Sequence, residues 1–261
     1  PPIYYRGHFN FVSLLTQVIE QVQPTQVLMG GGSAGGMAVY HQCDRAAAML
    51  ATRNISLKCM PDAGLFPGGD WRTPGSDFLW MAENMESKAG LNERCVAHYG
   101  QNTSDPIGWR HCIQGGAALR FIRTPTYVLN SRYNWCGAYF LLPQCKVPLK
   151  PGQSKRPFCD IDYLRESVAS YRAVVQDAMA PAWDPSTPHG LFSDACQVHV
   201  ESSVSWNHVQ IDGVMMRDSA ARWYFNHSVE KHLDPAALHL NTSNMNGTET
   251  AVGFISGNPT C

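Results

Sequence analysis

A serine and a histidine carry the chemistry for which this sequence can be read. Ser33 stands in Gly30-Gly31-Gly32-Ser33-Ala34-Gly35-Gly36, where a short apolar run, Gln26 to Met29, meets an alanine- and methionine-rich segment reaching about Leu50. Strand, sharp turn and helix is the expected order. Gly31-x-Ser33-x-Gly35 at such a corner is the pattern that presents a nucleophilic serine on a strained turn. Side chains at the flanking glycines would collide with the neighbouring strand or helix. The amide of Ala34, at the helix N-terminus, is positioned to help hold an oxyanion.

The same glycines also satisfy Gly30-x-Gly32-x-x-Gly35, a dinucleotide fingerprint, which calls for an acid about 20 residues further on. The first candidate is Asp62, which comes late. A glycine-rich turn without chemistry is the third reading. If Ser33 is a nucleophile, its histidine belongs on a loop after the last core strand, and among ten histidines His199 has that position. It would take the Ser33 proton and return it to a leaving alcohol, with a random surface histidine as the alternative.

The elements needed to hold these residues follow in order. Phe11, Val12, Leu15, Val18, Ile19 and Val22 recur at helical spacing, and Pro24 stops that helix before the Gln26–Met29 strand. Ile55–Met60 reads as a second strand after the Ala34–Leu50 helix, a parallel crossover unit. Residues 67–116 lack clean periodicity and read as a cap or insertion, or as a surface excursion pinned by a disulfide. Thr126–Asn130 is a third strand, Cys145–Cys159 a loop, and Ile161 to Met179 an amphipathic helix capped by Asp160 or Asp162. Gly190–Ser193 is strand-like, a last helix runs from about Ile211 to Phe225, and residues 241–261 form a loose tail. The expected fold class is α/β, a mostly parallel sheet flanked by helices as in α/β-hydrolases, in one domain over residues 1–240.

Composition narrows the function classes. At 261 residues with formal net charge −1, the chain can bury a substantial core and offers no basic face for nucleic acid. No apolar run reaches the length of a membrane span. Nine cysteines lack metal spacing, and five Asn-x-Ser/Thr sequons occur, at Asn54, Asn102, Asn226, Asn241 and Asn246. Together they favour a secretory, oxidising compartment with disulfides and no metal site. The odd cysteine count leaves at least one thiol free or paired outside the chain. The opening Pro1 implies that the chain has been processed or cut.

The motifs Gly31-Gly32-Ser33-Ala34-Gly35-Gly36-Met37-Ala38, His41-x-Cys43-Asp44, Lys58-Cys59-x-x-Asp62-Ala63-Gly64-Leu65-Phe66, Thr124-Pro125-x-x-x-x-Asn130-x-x-Tyr133, Cys196-x-x-His199, Trp206 and Ala221-x-Trp223-Tyr224-Phe225 run in this order. Together they resemble the pectin acetylesterase family, which includes the Notum carboxylesterases. The resemblance covers nearly all of positions 3 to 226. It implies a secreted serine esterase of α/β-hydrolase fold without a cofactor, acting on an acetylated extracellular or cell-wall polysaccharide or another acyl ester. The family's nucleophile falls on Ser33 and its histidine on His199, which displaces the nucleotide reading.

Two departures set expectations. The family's acid falls on Asn134, which supplies no charge to an imidazolium; in a serine protease that swap lowers kcat about 10⁴-fold. Asp62 is the possible substitute acid, or a carboxylate that fixes the Ala63-Gly64 turn. A weakened or rewired esterase and a non-catalytic carbohydrate- or lipid-binding protein are the resulting readings. The family also begins upstream of residue 3, with the first strands and a second oxyanion donor, leaving Ala34 as the one nameable donor. Losing such a donor costs about 2.7–4 kcal/mol. The Gln26–Met29 strand is then expected to have an unpaired apolar edge, and the chain alone to fold poorly. Tyr133, Trp135, Trp206 and Trp223 are aromatics suited to stacking on sugar, with Tyr133 and Trp135 the candidates for substrate, and all four suit core packing equally well.

Overall fold

The computed structural model describes residues 6–67, 77–101, 105–134, 161–226, 228–241 and 253–261. Helix α1 (Gly7–Val22) turns Phe11, Leu15 and Ile19 onto the main core and ends at Gln23, which takes the left-handed conformation just before Pro24. Strand β1 (Gln26–Gly32), helix α2 (Ala34–Ala51) and strand β2 (Ser56–Asp62) form the expected crossover unit. The two strands pair in parallel from Gln26 opposite Ser56 to Gly32 opposite Asp62. That register brings the carboxyl end of β2 beside the corner that carries Ser33.

Residues 67–116 prove largely helical where described. They contain α3 (Asp77–Asn84), α4 (Glu93–Gly100) and the start of α5 (Gly115–Leu119), with 3₁₀ turns at Ser87–Gly90 and Gly108–Ile113. The Cys95–Cys112 disulfide lies in a small core of its own with Ala82, Leu91 and Ile113. Short helices with one shared disulfide need no long hydrophobic period, which is why periodicity did not reveal them.

Strand β3 (Tyr127–Leu129), helix α6 (Ile161–Trp183), strand β4 (Gly190–Ser193) and strand β7 (Lys231–Leu233) complete the frame. The parallel sheet has the order β1-β2-β3-β4-β7. Every residue of β3 and β4 is buried, as expected for strands covered on both faces. Tyr171, Val175 and Met179 of α6 pack one face with residues of α2 and α5, while Trp223 and Met216 help cover the other. Among the described residues β1 pairs only with β2, and its Leu28 is 42 % exposed.

Two expectations are corrected. The final helix does not begin at Ile211. After α7 (Glu201–Val204), Gln210–Ile211 (β5) and Val214–Met215 (β6) form a hairpin, and α8 starts at Met216 and ends at Asn226. Asp212 and Gly213 both have positive φ, 51° and 76°, which is the Asp-Gly turn that closes a two-residue hairpin. The end of the tail is also not loose: β8 (Leu238–Asn241) pairs with β9 (Gly253–Ser256), and Cys261 is bonded to Cys196. Asn258, 8 % exposed, donates to Asp234.

The third described disulfide joins Cys43 of α2 to Cys59 of β2. The 145–159 loop, Cys136, Asp160 and Trp135 lie outside the described residues. No helix among the described residues is long and apolar enough to cross a membrane.

Helix α2 approaches the sheet so closely that glycines are required at the contact. A Cβ on Gly31 would lie 2.6 Å from the Gly35 carbonyl carbon, and one on Gly64 only 2.3 Å from that of Gly36. Both obstacles are backbone. Gly64→Ala is expected to lose about 1–3 kcal/mol of stability, the usual cost of overpacking, read as a lower midpoint in thermal or denaturant unfolding.

Candidate active site

Ser33 has φ 57° and ψ −122°, a conformation that an L-residue adopts only under constraint. Two bonds impose it. The Ser33 amide donates to the Asp62 carbonyl at 2.9 Å, and the Ser33 carbonyl accepts from the Met37 amide at 3.0 Å, inside the first turn of α2. The side chain therefore stands off the end of β1 at the mouth of the sheet. Ala34 opens the helix, and the residue four back belongs to β1, so its amide has no intrahelical carbonyl to bond and is suited to an anion.

His199 comes to Ser33 from the loop after β4. Its Nε2 lies 2.8 Å from Ser33 Oγ, and its Nδ1 lies 2.9 Å from Asn134 Oδ1. An amide oxygen only accepts, so Nδ1 carries the hydrogen and Nε2 is left to accept from the serine hydroxyl. The loop is held from several sides. The Ser131 hydroxyl donates to the Cys196 carbonyl, and the Asp194 carboxylate accepts from the Cys196 amide. The Cys196–Cys261 disulfide anchors it to the chain's last strand pair. Val200 docks its side chain over Gly32, where a Cβ would lie 2.8 Å from it. Val200 itself has φ 66°, a second strained residue beside the pair.

Asp62 does not reach His199 as an acid partner. Its carboxylate accepts instead from the Glu201 amide at 2.9 Å, the Ser202 amide at 2.8 Å and the Ser202 hydroxyl at 2.6 Å. Burial pushes its pKa above the ordinary carboxylate value, an effect that these three donors and the nearby His199 offset only in part. Tyr133 is 5 % exposed, and the Leu238 main chain bonds its phenol, so it is a packed residue and no platform for a ring of sugar. Trp223 is buried over Tyr127, whereas Phe225 is 73 % exposed.

Sequence reasoning missed the layer behind His199. Glu201 and Asp194 are both fully buried and face one another. Burial, reinforced by the neighbouring carboxylate, pushes Glu201 well above the usual carboxylate range; burial also raises Asp194. Both carboxyl groups lie against the Ser131 segment, beneath the loop that carries His199. A glutamate two residues after the histidine was visible in the sequence, but its burial depends on folding against Ser131 and Asp194.

His199 is half-buried, and desolvation lowers its pKa below 6.5, with the Asp62 charge pulling in the opposite direction. A neutral imidazole, oriented by Asn134 and bonded to a serine hydroxyl at a strained corner, can accept a proton from that hydroxyl and make it a nucleophile. Among the described residues no cluster of His, Cys, Asp and Glu could hold a metal ion. Beside the first turn of α2 a cavity of about 850 Å³ is lined by Phe9, Phe11, Met29, Met37, Met81 and Met85. It reaches Ala34 and Gly35, although neither Ser33 nor His199 forms its wall.

A parallel sheet, a serine at the strand-to-helix corner and a histidine after a later strand define the α/β-hydrolase class. Residues 2–244 match the profile described as Pectinacetylesterase, and the chain belongs to that family of carboxylic ester hydrolases. Pectin acetylesterase 5 of Arabidopsis thaliana is 24 % identical over 262 residues, covering 94 % of this chain and 59 % of that protein. Pectin acetylesterase 7 of the same plant is 28 % identical over 224 residues, covering 79 % and 54 %. The structure of the Wnt deacylase Notum from Drosophila superposes with TM-score 0.65 at 18 % identity, covering 89 % of this chain and 63 % of that chain. The chain thus spans less than two thirds of the length of these relatives.

The environment of His199 makes a prediction that is independent of turnover. Its titration, followed by NMR, is expected to have a midpoint below the ordinary 6.5, because the neutral form is favoured by burial. Asn134→Asp puts a carboxylate at Nδ1 and is expected to raise that midpoint; an unchanged or lower value contradicts the geometry.

Proposed function

We propose that this chain carries the nucleophile and base of a secreted serine carboxylesterase that removes acetyl groups from an extracellular or cell-wall polysaccharide. The observation that carries the reading is the Ser33 Oγ to His199 Nε2 hydrogen bond of 2.8 Å. Family membership supports the reaction class, and the names of the Arabidopsis relatives support pectin acetyl esters as substrate. The sequons and the three disulfides Cys43–Cys59, Cys95–Cys112 and Cys196–Cys261 support an oxidising, secretory route.

In the proposed reaction Ser33 Oγ attacks the ester carbonyl carbon while its proton passes to His199 Nε2. The carbonyl oxygen becomes an oxyanion beside the Ala34 amide. Collapse breaks the carbon–oxygen bond to the sugar, and His199 returns its proton to the departing alkoxide oxygen. Water, deprotonated by the same nitrogen, then attacks the acyl-serine and releases acetate and the Ser33 hydroxyl. Asn134 orients the imidazole throughout but contributes no charge while it is protonated.

A fluorophosphonate probe tests the reading. Wild type is expected to be labelled on Ser33, with no labelling of Ser33→Ala or His199→Gln. Failure of wild type to label, with stoichiometric sugar binding retained, favours the non-catalytic reading that Asn134 motivates. Asn134→Asp is expected to hydrolyse nitrophenyl acetate faster than wild type, by up to about 10⁴-fold if the missing charge is the main defect.

The methionine-lined cavity beside Ala34 and Gly35 favours a second reading, removal of a longer acyl chain as by a Notum-like deacylase. Nitrophenyl esters of increasing length separate the two. The highest kcat/KM at C2 supports the deacetylase, whereas an optimum at C8 or beyond supports the second reading.

A further inference from the structure

Asp62 touches both halves of the candidate site without touching the reacting atoms. Its main-chain carbonyl accepts from the Ser33 amide at 2.9 Å and so helps fix the strained corner. Its carboxylate accepts from two consecutive amides and one hydroxyl at Glu201 and Ser202, the residues that directly follow the His199-Val200 pair. Those amides open α7, so the carboxylate acts as a cap on a helix that begins two residues after the base. Asp62 is 2 % exposed; its bond to the Glu201 amide is buried, and its two bonds to the exposed Ser202 are part-buried.

The charges around His199 leave Asp62 alone in its role. Asn134 on one side is neutral, Ser33 on the other is the proton donor, and Phe66 presents a ring edge at 6.0 Å between centroids. Behind the loop, burial raises the pKa of both Glu201 and Asp194 and so favours their neutral forms. Tyr40, which also faces Asp62, is held neutral by burial. Arg132 is buried on the segment before Asn134, with its amide donating to the Asp194 carbonyl. Of these groups, Asp62 is the acidic one whose field favours the imidazolium.

We infer that Asp62 is the positioning residue of this site, clamping the His199 loop against the Ser33 corner and supplying through space the negative charge that Asn134 lacks. It acts through His199 and makes no contact with substrate. The inference deepens the esterase reading and rests on it for the consequence in rate, but not for the effect on His199 itself.

The test therefore uses two readouts on the whole chain. Histidines are labelled with ¹³C and titrated by NMR, the His199 signal being assigned by its loss in His199→Gln. The rate of fluorophosphonate labelling is measured in parallel. In Asp62→Asn the His199 midpoint is expected to fall below that of wild type, since the charge favouring protonation is gone, and labelling to slow by about 10²-fold, the usual effect of a small misplacement. In Ser202→Ala, which loses one bond of the clamp but keeps the charge, the midpoint is expected to stay while labelling slows less. An unchanged midpoint in Asp62→Asn overturns the electrostatic role, and unchanged labelling in both variants overturns the clamp. If Asp62→Asn does not fold, Ser202→Ala decides: a labelling rate equal to wild type overturns the proposal and a slower one supports it. A fallen midpoint in a protein whose wild type never labels keeps Asp62 in its place and removes the esterase reading alone.

Discussion

The distance between helix α2 and the two strands it joins governs the rest of the molecule. Glycines at 31, 36 and 64 let backbone meet backbone at a separation that no side chain would allow. That contact forces the chain to turn sharply after β1 and puts Ser33 into its left-handed conformation, with the Asp62 carbonyl within reach of its amide. A wider spacing would relax the turn and withdraw the hydroxyl from Nε2. The strain at Ser33 is local; the packing that sustains it involves the core from Val39 to Leu50 and the Cys43–Cys59 bond beneath it.

The second half of the site is assembled from greater sequence distance. His199 lies 166 residues from Ser33 and 65 from Asn134, and the strand order β1-β2-β3-β4 brings the three together. A parallel sheet gathers residues from successive carboxyl ends along one rim, which is how separated loops come to share a site. With a neutral amide at the position of the acid, tautomer and charge come from different residues. Asn134 fixes which ring nitrogen bears hydrogen, while Asp62, whose charge acts on the ring, caps the following helix.

Much of this was legible in the sequence. Gly31-x-Ser33-x-Gly35 announced the corner because its glycines have a local steric cause, and chain order selected His199. Asn134 could be singled out only through the family resemblance, since an asparagine in a loop has no pattern of its own. The role of Asp62 stayed open because its partners are main-chain amides some 139 residues away. Glu201 and Asp194 gave no sign, as burial of an acid follows from tertiary packing. The hairpin at 210–215 was missed although Asp212-Gly213 is a strong turn signal: the apolar spacing of the following α8 was extended backwards across it. Tyr133 could be read as a sugar platform or as core, and it is packed, because nothing in its neighbours distinguishes a rim from a core.

The Cys196–Cys261 bond has a consequence for the order in which the protein matures. It spans 65 residues and ties the loop of His199 to a part of the chain made much later. A nascent polypeptide can form the Ser33 corner and the Cys43–Cys59 bond, 16 residues apart, as soon as the first crossover unit emerges. The imidazole loop gains its tether only when Cys261 has been made and its thiol oxidised. Synthesis thus makes the nucleophile's corner well before the cysteine that tethers the loop of its base.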